Sequence, residues 1–198
     1  MSVTAAKRYI HIYTEANPNP NSMKFVLNFM LAPDGQDFDF PDISTTQGSP
    51  LAAELFKFPF IERVFIMNNF VTITKAASVD WNDVVLELKG FLKQYFEDEG
   101  EIFTQTFKKQ FEANASHAQP ATDIEKKIVE VLEEYVKPAV ESDGGAITFK
   151  SFQNGVVAVE LRGSCSGCPS STLTLKAGIE NLLKQMVPGV EEVVAVGM

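Results

Sequence analysis

The dipeptide Asn154-Gly155 constrains the fold most tightly, because it stands between two runs in which apolar and polar residues alternate. Both residues accept the positive φ angles that a two-residue hairpin turn requires. We therefore predict two antiparallel strands, over residues 146–152 and 156–161. Any fold for this part of the chain has to be built around that hairpin.

Helices are predicted on both sides of the hairpin. Before it, one buried helical face is indicated by Ile124, Ile128, Val131, Leu132 and Tyr135, and Pro138 is expected to limit this helix. After it, a second face is indicated by Leu175, Ile179, Leu182, Leu183 and Met186, and a last strand by residues 191–196. The order is α-β-β-α-β. A domain of this length is too short to form a full thioredoxin-like sheet.

A stretch of small and polar residues with a proline, EANASHAQPA at 112–121, has the composition of a linker. It divides the chain into residues 1–111 and residues 122–198. The first part mixes strands, among them a hairpin at Asn68-Asn69, with helices, one of which begins at Ser49-Pro50. We predict an α+β fold of two small mixed domains.

The chain carries a formal charge of -9 and has a pI near 4.8. Because nucleic acids and anionic membranes are also negative, we expect the protein to bind neither. The N-terminal residues contain neither the apolar core of a secretory signal nor an Arg- and Ser-rich transit pattern. On these grounds we expect a soluble protein of the cytoplasm.

The two cysteines of the chain, Cys165 and Cys168, lie between a predicted strand end and a predicted helix start. Pro169 suits the first position of a helix, where free N–H groups and the positive helix end favour anionic thiolates. Gly167 can adopt a positive φ angle and leaves room for backbone amides near the sulfurs. This spacing lets both sulfurs point at one centre, so we predict a metal or redox site.

Two thiolates are only half of a ligand set, because zinc and [4Fe-4S] clusters normally take four protein ligands. The histidines, His11 and His117, are distant in sequence. A second copy of the chain is the simplest completion, and it makes a dimer that the metal assembles. Two alternatives stay open, a dithiol–disulfide enzyme that uses the same cysteines and a structural zinc dimer.

The second half resembles the NifU-like C-terminal domain. The resemblance lies in Asp143-Gly144-Gly145, in the segment GSCSGCPSS at 163–171, and in Thr174-Leu175-Lys176 with Gly178-Ile179-Glu180. The first half resembles the N-terminal domain of Nfu proteins, through NPNPNSMKF at 17–25, SPLA at 49–52 and VTITK at 71–75. Ala146 departs from the pattern, because the family often has an acid there, and no role is assigned to it.

The resemblance implies a non-catalytic iron–sulfur scaffold or carrier. Such proteins hold a [4Fe-4S] cluster between two subunits and pass it to apo-proteins, with Cys165 and Cys168 as the ligands. The N-terminal domain is implied to recognise clients or to shield the site. Because the additional cysteines of NifU-type scaffold domains are absent from this sequence, clusters are expected to come from an upstream assembly factor.

Overall fold

The computed structural model describes residues 9–114, 122–166 and 169–196, without the side chains of 110–114 and 169–172. The strands are β1 (Ile12–Ala16), β2 (Ser22–Leu27), β3 (Asp37–Phe40), β4 (Ile61–Met67), β5 (Phe70–Lys75), β6 (Gly145–Gln153), β7 (Val156–Gly163) and β8 (Glu192–Val196). The α-helices are α1 (Pro50–Leu55), α2 (Trp81–Glu97), α3 (Gln105–Asn114), α4 (Asp123–Val131), α5 (Lys137–Ser142) and α6 (Pro169–Met186). The predicted α+β class is confirmed.

The first domain is a five-stranded antiparallel sheet in the order β1-β2-β5-β4-β3. The predicted β4–β5 hairpin forms, and Asn68 has a φ angle of 46° at its turn. Helix α1 begins where predicted, with Pro50 in its first turn and the Ser49 hydroxyl accepting a hydrogen bond from the Ala52 N–H. The helices bury Leu51, Leu88 and Leu92 against one face of the sheet.

Two elements of this domain were not foreseen, strand β3 and helix α3. Phe103, at the start of the segment that leads into α3, packs on Phe38 of β3 with ring centroids 4.2 Å apart. Helix α3 continues to Asn114, so residues 112–114 of the predicted linker are helical. The division of the chain between two domains remains a prediction, and residues 115–121 lie outside the described part.

The second domain has the predicted order α-β-β-α-β. Strands β6 and β7 form the antiparallel hairpin, and φ is 50° at Asn154 and 80° at Gly155, as the turn requires. Strand β8 then pairs with β7 in parallel, after a crossover through α6. Residues of α6 and of the helices before the hairpin cover one face of this sheet, among them Ile128 and Leu183, which share a core with Val193 of β8.

The helix before the hairpin differs from its prediction. Residues 132–136 form one wide π-helical turn between α4 and α5, and the chain stays helical to Ser142 although Pro138 interrupts the ordinary bonding. A π turn holds one extra residue, which changes the face that later residues present. Tyr135 is therefore 49% exposed, contrary to the prediction from its spacing, and Val136 is buried in its place.

The second domain covers the face of the first sheet that carries no helices. At this contact Ala146 joins an apolar cluster formed otherwise by Val26, Phe65, Met67 and Phe70. Arg162 of β7 makes a paired contact with the Asp37 carboxylate, with nitrogen–oxygen distances of 3.2 Å. The sheet of the first domain is therefore covered on both faces. Within the described ranges, no helix is both long and apolar enough to cross a membrane.

Candidate functional site

Cys165 lies in the short connection between the end of β7 at Gly163 and the start of α6 at Pro169. The connection turns sharply, since the Ser166 N–H donates to the Gly163 carbonyl at 3.1 Å. The Cys165 side chain is only 6% exposed and packs against the core of the second domain. Helix α6 begins at Pro169 as predicted, whereas Gly167 and Cys168 lie outside the described residues.

Two glycines make room for this connection. Gly163 has a φ angle of 68°, in the left-handed region that other residues avoid. A Cβ atom on Gly145 would lie 2.6 Å from the Arg162 carbonyl oxygen and 2.9 Å from the Cys165 sulfur. A bare backbone at position 145 is therefore a condition for the position of the thiol.

Ser164 fixes the connection through three hydrogen bonds. Its N–H donates to the Gly144 carbonyl at 3.3 Å, and its hydroxyl donates to the carbonyl of Asp143. Its own carbonyl accepts a bond of 3.1 Å from the side-chain amide of Asn19, which belongs to the first domain. The cysteine connection is thus tied both to the turn before β6 and to the other domain.

Asn19 is part of the Asn-Pro-Asn segment and is 4% exposed. While its Nδ2 donates to Ser164, its Oδ1 accepts from the Asn21 N–H at 3.0 Å, which holds the loop in an Asx turn. The Trp81 indole N–H donates to the Pro20 carbonyl at 3.0 Å and supports the loop from behind. The sequence did not reveal this contact with the cysteine connection, although its motif is part of the family resemblance.

Two further side chains of the first domain bond to carbonyls close to the site. The Thr72 hydroxyl donates to the Gly144 carbonyl at 2.8 Å, and the Lys24 ammonium donates to the Ser142 carbonyl at 3.3 Å. Gly144 has a φ angle of 78°, and a Cβ atom there would lie 2.6 Å from the Thr72 hydroxyl oxygen. The Asp-Gly-Gly segment is therefore more than a turn, since it is the docking point of the first domain.

A cleft of about 410 Å³ opens beside the Cys165 thiol. It is lined by Pro18, Asn19, Asp143, Ser164, Cys165, Thr174 and Leu175. Burial raises the pKa of the Asp143 carboxyl, and the positive charge of Lys24 opposes that rise. The cleft therefore combines one thiol, one acid and apolar walls from both domains.

The predicted ligand pair is placed only in part. Cys165 lines the cleft, and the position of Cys168 is not described. His11 is exposed, whereas His117 belongs to the residues that are not described. In the described part of the chain, no group of three or more His, Cys, Asp or Glu side chains could hold a metal ion. With two cysteines in the sequence, one chain offers at most two of the soft sulfur ligands that iron–sulfur clusters use.

Two protein families match different parts of the chain. Residues 12–99 match the family "Scaffold protein Nfu/NifU N terminal", and residues 128–194 match the "NifU-like domain". Among solved structures, the solution NMR structure of a NifU-like protein from Saccharomyces cerevisiae is 28% identical. It covers 53% of this chain and 93% of that protein, with a TM-score of 0.45.

Curated relatives include the mitochondrial NFU1 iron-sulfur cluster scaffold homologs of Drosophila willistoni and Homo sapiens. They are 34% and 33% identical to this chain, and each match covers 94% of it. The chain spans 64% of the length of the fly protein and 72% of that of the human protein.

The relatives' names contradict the cytoplasmic location, which was expected from composition and from the lack of a signal or transit pattern in the N-terminal residues. Composition could not decide this, because folded domains of both compartments have similar compositions. Both matched domains and the similarity over 94% of the chain show the same family. The chain belongs to the Nfu/NifU family of iron–sulfur cluster scaffold proteins.

Proposed function

We propose that this protein is a non-catalytic carrier that holds a [4Fe-4S] cluster between two subunits and transfers it to apo-proteins. Each subunit supplies Cys165 and Cys168, so that four thiolates surround one cluster. The cluster is the cargo, received from an upstream assembly factor and released to clients. We propose the mitochondrion as the location, following the names of the relatives.

One observation carries this proposal: the Cys165 thiol lines a cleft, and the sequence contains no cysteine other than Cys165 and Cys168. A set of four ligands then needs a second chain. If a two-fold axis passes through the cluster, the second chain contributes an identical pair of cysteines. A cluster held by so few ligands from each chain is also easier to release than one enclosed in a single subunit. The family membership supports the scaffold role itself.

For the first domain we propose shielding of the cysteine site rather than client recognition. Pro18 and Asn19 form part of the wall of the cleft, and Asn19 bonds directly to the residue before Cys165. A thiol with little exposure is protected from oxidants and from stray metal ions, since reaction at sulfur requires access. This role needs no ligand from the first domain, which contains no cysteine.

The test is anaerobic reconstitution with iron and sulfide, followed by iron counting and mass determination of the full chain. We expect about four irons per dimer, and the loss of both iron and dimer in Cys165→Ala and in Cys168→Ala. His11→Ala is the matched control, because it removes a potential nitrogen ligand that is exposed on the first domain. It should keep full iron content.

Other outcomes would identify other functions. A protein that stays monomeric and colourless after reconstitution contradicts the carrier. Zinc retained through purification, and not released to an apo-protein, indicates a structural zinc dimer. A reversible disulfide that turns over a disulfide substrate indicates a dithiol oxidoreductase. Recovery of activity in an apo-enzyme mixed with the loaded dimer supports the transfer step directly.

A further inference from the structure

We propose that the first domain is a closed cover over Cys165, and that a second copy of the chain has to displace it before a cluster can be shared. The proposal rests on the shared cluster of the proposed function. The cover is held by three side chains of the first domain, Asn19, Lys24 and Thr72, which together we call the interdomain latch.

The latch has a uniform chemistry, in which each of its side chains donates to a backbone carbonyl of the second domain. Lys24 donates to the Ser142 carbonyl, Thr72 to the Gly144 carbonyl and Asn19 to the Ser164 carbonyl. The three acceptors lie at the last residue of α5, in the turn before β6 and next to Cys165. The bonds therefore hold the first domain against the segment that precedes β6 and against the residue before Cys165.

Bonds of this kind suit a contact that has to open. A carbonyl that loses a protein donor on opening gains a water donor, so the net free energy of each bond is small. Lys24 is already close to solvent on one side, where it forms an ion pair with Glu15 at 3.2 Å. The closed state is thus stable without being permanent, as a population shift by a second ligand requires.

The closed state and the shared cluster exclude each other. A cluster bound by two chains has to contact the Cys165 sulfur from the outside and leave room for the second chain. In the closed state this side chain is 6% exposed, and Pro18 and Asn19 stand at the cleft beside it. Dimer assembly around a cluster therefore competes with the latch, and by reciprocity an assembled dimer weakens the latch.

Access to Cys165 can be measured without any metal. We would use the full chain with Cys168→Ser, in which Cys165 is the single thiol, and follow its alkylation by a small maleimide under reducing, iron-free conditions. Thr72→Val removes the hydroxyl and keeps the shape of the side chain. Asn19→Asp keeps the oxygen that accepts from Asn21 and removes the donor to Ser164.

Each latch variant should raise the alkylation rate by about fivefold, because the loss of one hydrogen bond increases the open fraction by that order. Thr74→Val is the matched control on the same strand, since the Thr74 hydroxyl makes no hydrogen bond within the described residues. Its rate should equal that of the parent. Equal rates in all chains, or the same acceleration in the control, would overturn the proposal.

Circular dichroism establishes that each variant is folded. If Thr72→Val does not fold, Lys24→Met takes its place, because it removes the ammonium and keeps the aliphatic stem. In chains that retain Cys168, the same latch substitutions should shorten the half-time of dimer formation during anaerobic reconstitution. An unchanged or longer half-time contradicts competition between the cover and the second copy.

The two proposals can fail separately. If no chain binds iron, the proposed function fails, and the alkylation rates still report whether the latch covers Cys165. If iron is bound by a dimer while the alkylation rates do not respond to the latch, the carrier stands and the cover is wrong.

Discussion

Gly145 sets the position of the thiol more directly than any side chain does. An added Cβ would meet the Cys165 sulfur at 2.9 Å and a backbone oxygen at 2.6 Å, and the backbone oxygen cannot rotate away. Gly178 of α6 is its opposite, since a Cβ there meets nothing within 4 Å. Substitution by alanine should therefore have opposite effects on stability at Gly145 and at Gly178, although both belong to the second domain.

We expect Gly145→Ala to destabilise the protein by about 1–3 kcal/mol, because the crowded backbone has to move. It should also lower the iron content after reconstitution, since Cys165 moves with it. Gly178→Ala should instead stabilise by about 0.5–1 kcal/mol, as expected in an open helix interior. Urea titration of both variants checks this, and a neutral Gly145→Ala would contradict the packing seen at the sulfur.

At the residue scale, the spacing of Cys165 and Cys168, together with Gly167 and Pro169, predicted a metal or redox site, and the family resemblance narrowed it to a cluster site. The sequence could not predict the role of Asn19, which lies 145 positions before Ser164 in the chain. No local pattern encodes a contact over that distance. Ala146 was also left without a role, although it packs into the contact between the domains.

At the element scale, helices α1 and α4 both begin at a capping hydroxyl, and of these two caps only the one at Ser49 was predicted from the sequence. Ser49 caps α1 and is fully buried, where its hydroxyl also donates to the Ile102 carbonyl at 2.8 Å. Thr122 caps α4 with a reciprocal bond from Glu125, and this cap is exposed to solvent. The two caps share their chemistry and differ in their access to water.

Ser49→Ala should cost about 2–3 kcal/mol, because a buried N–H and a partly buried carbonyl both lose a partner. Thr122→Ala should cost about 1 kcal/mol, since water replaces the lost cap. Thr122→Ser is the control, and it should retain most of the free energy of unfolding because serine keeps the capping hydroxyl. Chemical unfolding of the three variants gives the ranking, and an equal loss at both caps would contradict the role of burial.

Other elements were beyond prediction. Strand β3 has four residues and follows Pro33 and Gly35, so its alternation is too short to be recognised. The wide turn at 132–136 leaves no mark in the sequence except Pro138, which was interpreted as a helix end. Hairpin turns were predicted well, because these tight turns require positive φ angles, which asparagine and glycine adopt readily.

At the scale of the whole molecule, the first sheet is covered by helices on one face and by the second domain on the other. The sequence contained a signal of this in the unbroken apolar run Val64-Phe65-Ile66-Met67 of β4. An antiparallel strand with one wet face alternates instead. The run indicates a covered second face, and we did not recognise this from the sequence.

Ala146→Asp should separate the domains, because it places a carboxylate among Phe65, Met67 and Phe70. We expect the unfolding curve to divide into two transitions and the radius of gyration in small-angle scattering to increase. Ala158→Asp is the control, since Ala158 is a partly exposed position of β7. A single transition with an unchanged radius in Ala146→Asp would contradict this account of the contact.

The wide turn before Pro138 has a consequence for chain length. Each residue added to an α-helix rotates everything after it by about 100°, so a helix packed at both ends cannot normally change its length by one. Here the surplus residue is contained within 132–136, and Val136 and Val140 still face the core. This segment is thus the place in the helix where an alignment gap of one residue is tolerated, and relatives with a shorter helix should show their gap there.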